Sequence, residues 1–525
     1  MAVAPAGQAA LALESRVATA LNAAHHSAFL QQRRRTAVVL GGGLSGLSLA
    51  WFLQRAHSVL RVVVVEKSER PGGWVHSHHR DGHVLEAGPR GVRPQAAGQE
   101  TVRLAEQLGL ADQLIAADPA AKLRYLYLDG KLQRLPSGLL ELRSNPLTKW
   151  VPDVLKFERQ VVAGTGEDES IADFITRRFN RRVLDELVDP LISGIYAGDP
   201  AQLSVQSCFG RLPKLEQEHG SVVQGLLNEN LPWPLGQGRG ARGPSESLLL
   251  DRGPPSSAVT QRFGKDALVS FKGGMSTLTN ALAEQLDGQG EGGQGEVRYG
   301  AEARSLDFSS GEGVEVGLAD GTTLQADHVF CALPGDPTAA LLQPHSAALA
   351  AEVGAIPYAP VALVTMAWER NVLPQHLVGF GHLVPYVEQQ EVLGMTWDSC
   401  TFPQQAGGAS GEPQPTRLTV FVGGTRRAET LRSMAGDEAA VADVARRAVA
   451  SHLGVVEAPA VCDVHYMERA IPQYHVGHKK RVERVERLAA QLDPRLTLAG
   501  SLLYGVACND IVAHARQTAL TATLR

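Results

Sequence analysis

The chain has 525 residues, a formal charge of −5, 44% hydrophobic and 20% charged residues, which suits two or three globular domains and gives no electrostatic footprint for nucleic acid. Its five cysteines (Cys208, Cys331, Cys400, Cys462, Cys508) lack the short spacings of a disulfide framework or a zinc site. No run of about 18 apolar residues is present to span a bilayer, which leaves peripheral membrane attachment open.

Residues 1–35 are Ala-rich, carry one acidic residue (Glu14) and end in Gln31-Gln32-Arg33-Arg34-Arg35. Low acidity with arginine fits a mitochondrial transit segment. A poorly ordered tail without an address fits as well. The short β-branched run 36–40 then reads as a buried parallel strand. It is followed by Gly41-Gly42-Gly43-Leu44-Ser45-Gly46, a helical segment over 47–53, and a second buried strand over 61–65 that ends at Glu66. This is a β-α-β unit of about 30 residues with a dinucleotide fingerprint. Gly41 allows the tight turn, Gly43 lets the backbone approach a pyrophosphate, and Gly46 lets the helix pack on the strand. Backbone N–H groups at the helix start bind phosphate. Glu66, 20 residues after Gly46, accepts the ribose hydroxyls and disfavours NADP.

Downstream, Glu69-Arg70-Pro71-Gly72-Gly73-Trp74 places a basic residue and paired glycines close to that acid. The segment resembles the second fingerprint of the amine oxidase and phytoene desaturase superfamily, and the cofactor expected is therefore FAD. In that superfamily the Arg and the Gly-Gly backbone meet the pyrophosphate. Gly88-Pro89-Arg90-Gly91 follows a hairpin turning at Asp81-Gly82 and corresponds to the stretch that passes along the flavin ring. His76, His78, His79 and His83 lie on this hairpin. We read them as exposed imidazoles rather than metal ligands.

Residues 124–228 read mostly as helices and turns, and 228–264 as a Gly/Pro/Ser-rich surface insertion. Met275 opens an amphipathic helix. Strands are expected from Val297, over 324–330, in a block from about 360 to 424, and over 496–500. The nucleotide-binding unit is thus assembled from separated stretches. The expected organisation is an N-terminal extension (1–35), a Rossmann-like FAD-binding domain in three parts (36–120, 246–336, 485–525), a helical membrane-docking and substrate region (121–245) and a mixed-sheet substrate domain (337–484). The fold class is α/β with mixed α+β insertions.

From residue 36 onward the chain resembles the protoporphyrinogen oxidase family, in its animal mitochondrial form. The resemblance is carried by Gly72-Gly73-Trp74, the segment from Glu86 to Pro94, Gly194-Ile195-Tyr196-Ala197-Gly198, Leu203-Ser204 and Ser207-Cys208-Phe209. It continues in Gly379-Phe380-Gly381-His382-Leu383-Val384-Pro385, Ile471-Pro472-Gln473-Tyr474, Leu498-Ala499-Gly500 and Gly505-Val506-Ala507. It implies six-electron oxidation of protoporphyrinogen IX by non-covalent FAD, with oxygen as acceptor and peroxide as by-product. It also implies a homodimer, contact with ferrochelatase, and a peripheral place on the inner mitochondrial membrane, facing the intermembrane space.

Position by position, the resemblance implies that Arg124 pairs with a substrate propionate, for which a guanidinium fork is suited. Phe380 and Leu383 would sandwich the tetrapyrrole, and Gly194 and Ala197 would leave room for it. Thr396 and Phe421 fall at pocket positions where the family often has aliphatic residues or Met. Ala303, Gly500, Gly505, Val506 and Ala507 join the cofactor set. No Ser/His/Asp or Cys/His constellation stands out, and hydride transfer to a flavin requires none. Amine oxidases, carotene-type desaturases and non-catalytic relatives of the same fold are the alternatives. The desaturases lack the Gly379 to Pro385 segment.

Overall fold

The computed structural model describes residues 35–57, 60–138, 141–229, 257–288, 295–311, 313–406 and 414–523. Residues 1–34, Leu139-Leu140 and most of the expected insertion lie outside these.

The centre is a parallel five-stranded sheet ordered Leu496–Leu498, His328–Cys331, β1 (Thr36–Leu40), β2 (Arg61–Val65) and Gly295–Arg298. Three distant stretches of chain therefore share one sheet. Both of its faces are covered, which is why β1 reads as a continuous apolar run instead of an alternating one. Ala37 and Val39 face a core shared with α1 (Leu44–Ala56) and with helices Ser276–Asp287 and Cys508–Thr521. Val38 and Leu40 face the opposite core, under helices Gly335–Leu342, Ala347–Gly354 and His478–Leu492. Each fully buried Val or Leu contributes about 1.5–3 kcal/mol.

A second sheet has seven strands, ordered Val461–Pro472, Tyr358–Ala367, Arg417–Gly423, Val392–Thr396, Gly381–Leu383, Tyr125–Leu128 and Lys131–Arg134. All neighbours are antiparallel except Gly381–Leu383 and Tyr125–Leu128. Leu418, Val420 and Val422 pack into the core under helix Glu438–Leu453. Thr419 and Phe421 therefore face the other way, by the two-residue period of a strand. The last two strands of this order depart from the helix-and-turn reading of residues 124–134. Tyr125-Leu126-Tyr127 is a good strand former. Asp129-Gly130, with φ of +55° and +70°, supplies the two-residue hairpin turn. Arg417, 1% exposed, ties the seven-stranded sheet to the hairpin of residues 77–86: its Nη1 donates to the Val84 carbonyl (2.8 Å), and its Nη2 to that of Phe402 (2.7 Å).

The hairpin of Ser77–Arg80 and His83–Glu86 turns through Asp81 and Gly82, both with positive φ. Its histidines are not all exposed. His79 is exposed and His76 and His78 are half-buried, but His83 is buried. His78 stacks on His465 of the second sheet at 4.7 Å. Docking of the hairpin on that sheet, invisible in a local pattern, is what covers them.

Between residues 147 and 228 short helices enclose a separate core around Phe174, Ile192 and Leu215. Ser170 caps helix Ile171–Arg178 by accepting from Asp173 N at 3.0 Å. Arg178 and Glu158 are both fully buried and paired, through Arg178 Nε to Glu158 Oε1 at 2.8 Å. Glu158 also accepts from Ser221 Oγ (2.5 Å) and Val222 N (2.9 Å), so one carboxylate joins three helices. Glu158→Ala would leave the buried Arg178 with Glu216 Oε1, 3.2 Å from its Nη1, as its remaining counter-charge, and urea denaturation is expected to show a loss of about 3 kcal/mol.

Candidate cofactor and substrate site

The loop after β1 is a cradle of backbone. Gly41 N donates to Val65 O (2.8 Å) and Gly42 N to Glu66 Oε2 (2.7 Å). Gly43 bridges Gly72, whose N–H donates to Gly42 O at 2.8 Å. The two glycine runs thus lie side by side, and a Cβ on Gly73 would stand 3.2 Å from Gly43 Cα. At Gly46 a Cβ would stand 1.9 Å from the Gly41 carbonyl, so only glycine lets α1 start there. The N-terminus of α1 has no side-chain cap and no acid in its first turn. Its open N–H groups and positive dipole end therefore suit an anion. Leu44 is buried beneath the loop. From the C-terminal end of the chain Gly500 closes the site, so near that a Cβ there would lie 3.0 Å from Ser45 Oγ.

Glu66 is buried, and its carboxylate accepts from Gly42 N and from Ser68 N (2.9 Å) and Oγ (2.8 Å). Ser68, which motif reading passed over, fixes the orientation of this carboxylate. Arg70 folds back on the paired glycines, donating to Pro71 O (3.1 Å) and Gly73 O (2.9 Å). Burial lowers its pKa, against the opposing charge of Glu66. Trp74 is 48% exposed. Ala303 opens a strand of a separate three-stranded sheet, two residues after Ala301, whose N–H donates to Glu66 O at 2.9 Å. Gly505 N donates to the Tyr474 hydroxyl (2.8 Å), which in turn donates to Ser501 O (2.5 Å). Val506 packs on the helical core, and Ala507 leads into helix Cys508–Thr521. A dinucleotide fits this donor set: a glycine cradle, a free helix N-terminus and a fixed carboxylate at the end of β2.

Beyond the hairpin, Gly88 to Gly91 runs against the second sheet. A Cβ on Gly91 would lie 2.6 Å from Val269 O. Arg90, beside Pro89, reaches Asp398 Oδ1 through Nε at 2.9 Å, with side chains only 10% and 15% exposed. Thr396 Oγ1 (2.8 Å) and Thr419 Oγ1 (2.6 Å) donate to the same carboxylate, so the buried Thr396 spends its hydroxyl there. The Arg90 guanidinium also lies over the Phe421 ring at 4.8 Å, and its buried Nη2 has no hydrogen-bond partner. Asp398 was not among the expected site residues. Only the pairing of strand Val392–Thr396 with Arg417–Gly423 brings the two threonines and Phe421 around it. Glu86, buried behind, accepts from Met275 N (2.7 Å) and Ser77 Oγ (2.8 Å), and burial pushes its carboxyl up to about 7.

Arg124 lies over the Phe380 ring at 4.9 Å. Phe380 is held by backbone bonds to Leu123 (3.0 Å) and Trp397 (2.9 Å). Gly194 faces Leu383, where a Cβ would stand 2.6 Å from Leu383 Cδ2. Ala197, left-handed at a helix end, packs in one small apolar cluster with Phe421. Gly194 thus meets Leu383, Ala197 meets Phe421, and Arg124 meets Phe380. Among the described residues no group of possible metal ligands converges on the hairpin histidines; the one that converges is Glu218, His219 and Glu229. Gly46→Ala is expected to purify without yellow flavin absorption and with a lowered melting temperature, since a Cβ there must displace the Gly41 backbone. Retained flavin content in the purified variant would contradict the cradle.

A family model described as flavin containing amine oxidoreductase matches residues 44–519. The protoporphyrinogen oxidase of Bos taurus is 37% identical over 495 residues, 92% of this chain and 98% of the relative. That of Homo sapiens is 36% identical over 496 residues, 93% and 98% of the two chains. Among solved structures, a provisionally named protoporphyrinogen oxidase from Exiguobacterium sp. 255-15 has a TM-score of 0.73 at 21% identity, covering 92% of this chain and 98% of its own. Cyclohexylamine oxidase from Brevibacterium oxydans has a TM-score of 0.61 at 13% identity, covering 93% and 98%. These last two show the shared fold.

Proposed function

We infer the reaction from one premise: the chain belongs to the flavin containing amine oxidoreductase family and, within it, to the protoporphyrinogen oxidases. It is an FAD-dependent oxidoreductase, and the reaction is the oxidation of protoporphyrinogen IX to protoporphyrin IX, the penultimate step of haem formation. The observation that carries this is kinship over nearly the whole length of the animal enzymes, 98% of the bovine relative.

In this reading the loop Gly41 to Gly46 and the open end of α1 hold the pyrophosphate, with Arg70, Gly72 and Gly73 against it. Glu66 takes the ribose hydroxyls, and Ala303 lies near the same end. Gly88 to Gly91, Gly500 and the Gly505 to Ala507 turn surround the ring end. When bound, FAD supplies the two-electron acceptor that oxygen regenerates, with peroxide released; three such rounds remove six electrons. The chain's own task is placement. Arg124 anchors a propionate, Phe380 and Leu383 flank the macrocycle, and the small Gly194 and Ala197 leave it space. Thr396 and Phe421 act through Asp398 and Arg90, which they hold in place beside the ring. Holding the substrate this way turns a difficult encounter into an intramolecular one.

A peripheral site on the inner mitochondrial membrane, facing the intermembrane space, extends the reading, with a homodimer and hand-over to ferrochelatase. What supports the docking is the helical block. Phe157, Val162 and Leu227 are 55%, 85% and 60% exposed there, while Val151 and Leu226 are buried and Trp150 packs inward under Arg182. No helix among the described residues is long and apolar enough to cross a membrane.

Under air, the protein is expected to convert protoporphyrinogen to fluorescent protoporphyrin with oxygen uptake, in a reaction blocked by a diphenyl ether. Oxidation of amines in its place would overturn the assignment. Arg124→Ala should raise KM about tenfold or more, the loss of a charge-assisted hydrogen bond; an unchanged KM and kcat removes the anchoring role. Liposomes carrying inner-membrane lipids should co-float the wild type, and a Phe157→Ser/Leu227→Ser variant should float less. Absence of flotation by the wild type would refute docking.

A further inference from the structure

A cleft opens beside the contact of Gly194 with Leu383, with a volume of about 320 Å³ counted to its open mouth. Three stretches of chain line it. Ser193 and Ala197 come from the end of helix Asp189–Tyr196, Val384 and Tyr386 follow strand Gly381–Leu383, and Arg426 and Arg427 follow strand Arg417–Gly423. Ser193 and Val384 are the chain neighbours of Gly194 and Leu383, where a Cβ on the glycine would stand 2.6 Å from Leu383 Cδ2. Ala197 and Leu393, both on the cleft, belong to the apolar cluster that holds Phe421. The cleft therefore adjoins the expected substrate walls at the Leu383 end, while Arg124 lies at the Phe380 end.

Two cations of the cleft lie on one aromatic ring. The guanidinium carbons of Arg426 and Arg427 are 4.0 and 4.6 Å from the centre of Tyr386. Their charges are not balanced alike. Arg426 is paired with the buried Asp189 at 2.5 Å and donates to Ser193 Oγ at 3.1 Å. Asp189 also accepts from Tyr386 N at 3.0 Å. Arg427 donates to Gln390 O (3.3 Å), Tyr386 Oη (3.3 Å) and Gln389 Oε1 (3.1 Å), three neutral acceptors, and among the described residues it makes no ion pair. Of the acids on the segment after Tyr386, Glu388 accepts from Asp129 N at 3.0 Å and Glu391 lies 3.8 Å from Arg447. Glu429, two residues past Arg427, is exposed and does not line the cleft. A guanidinium keeps its charge at any working pH, so the half-buried Arg427 leaves one positive charge unmatched. The Tyr386 oxygen accepts from Arg427, so its own O–H is left to donate, and it has no acceptor among the described residues. An unmatched cation beside an unused hydroxyl is a donor set for one oxyanion.

We propose that this cleft is a carboxylate-binding subsite in which Arg427 and the Tyr386 hydroxyl take one propionate of the tetrapyrrole. The proposal rests on the reading of the chain as a protoporphyrinogen oxidase and deepens it. Protoporphyrinogen IX carries two propionates. With the macrocycle flanked by Phe380 and Leu383, Arg124 meets one propionate at the first residue's end and Arg427 meets the other beyond the second. Arg427 is then a specificity-determining residue that favours tetrapyrroles with two free carboxylates.

The test is steady-state kinetics of the full-length holoenzyme with protoporphyrinogen IX and with its dimethyl ester, for wild type, Arg427→Gln and Arg427→Lys. Gln keeps an amide donor for the neutral acceptors and removes the charge, while Lys keeps the charge. Arg427→Gln should raise the diacid KM about tenfold, leave kcat within about twofold and leave the ester KM unchanged. Arg427→Lys should recover part of the loss. A diacid KM unchanged in Arg427→Gln overturns the subsite and leaves the assignment of the reaction intact. An equal rise for diacid and ester, or a Lys variant as impaired as the Gln variant, also overturns it and leaves Arg427 the structural task of holding residues 386–390. Should Arg427→Gln fail to fold, Tyr386→Phe removes the hydroxyl alone: a diacid KM raised about threefold with an unchanged ester KM supports the subsite, and an unchanged diacid KM overturns it. No turnover of either substrate by the wild type overturns the assignment of the reaction and the subsite with it.

Discussion

The close approach of two backbones, Gly42-Gly43 against Gly72-Gly73, is the constraint on which the rest of the molecule depends. Side chains at these positions would hold the strands apart and cover the N–H groups at the start of α1. With none there, the loop can be lined by backbone donors, and Glu66 can turn back to accept from Gly42 N. The same economy governs Gly46, where helix and turn meet too closely for a methyl group. Everything brought in from further along the chain is arranged around this cradle: Ala303 by way of Glu66, Gly500 against Ser45, and the Gly505 turn fastened by Tyr474.

The second sheet supplies what the cradle lacks, a wall of aromatic and cationic side chains. Its inner face carries Thr419 and Phe421 because its outer face is committed to an apolar core. Two guanidinium groups lie over aromatic rings along it, Arg90 over Phe421 and Arg124 over Phe380. They differ in their electrostatics. Arg90 is neutralised by a carboxylate that two threonines also hold, a buried pair whose desolvation cost argues for geometry more than for stability. Among the described residues Arg124 has no ion-pair partner, whereas Arg90 is fixed in place by Asp398.

Much of this was readable before any coordinates. The run 36–40, the four glycines after it and the acid at 66 each reflect a local necessity, and the structure places them as a strand, a turn and a carboxylate at the strand's end. The hairpin at Asp81-Gly82 was equally legible, since its turn requires two positive φ angles. Residues 125–134 were misread as helix and turn although Asp129-Gly130 carries the same kind of signal. A strand of four residues is too short for its period to stand out. The burial of His83 was also missed, because the hairpin docks on a sheet far along the chain, where Leu85 packs with Ala367 and Val461 and His78 stacks on His465.

The sequence alone determined the nucleotide-binding unit, since glycine spacing and a strand-end acid act through contacts a few residues long. Its resemblance to one oxidase family pointed further, to the substrate class. Tertiary structure alone decided which distant side chains share a site: Asp398 with Arg90, and Gly194 against Leu383. Those pairs are set by how the helical block and the stretch after the hairpin pack on the second sheet. Packing is a property of whole surfaces, and no local pattern in the chain encodes which residues will meet across it.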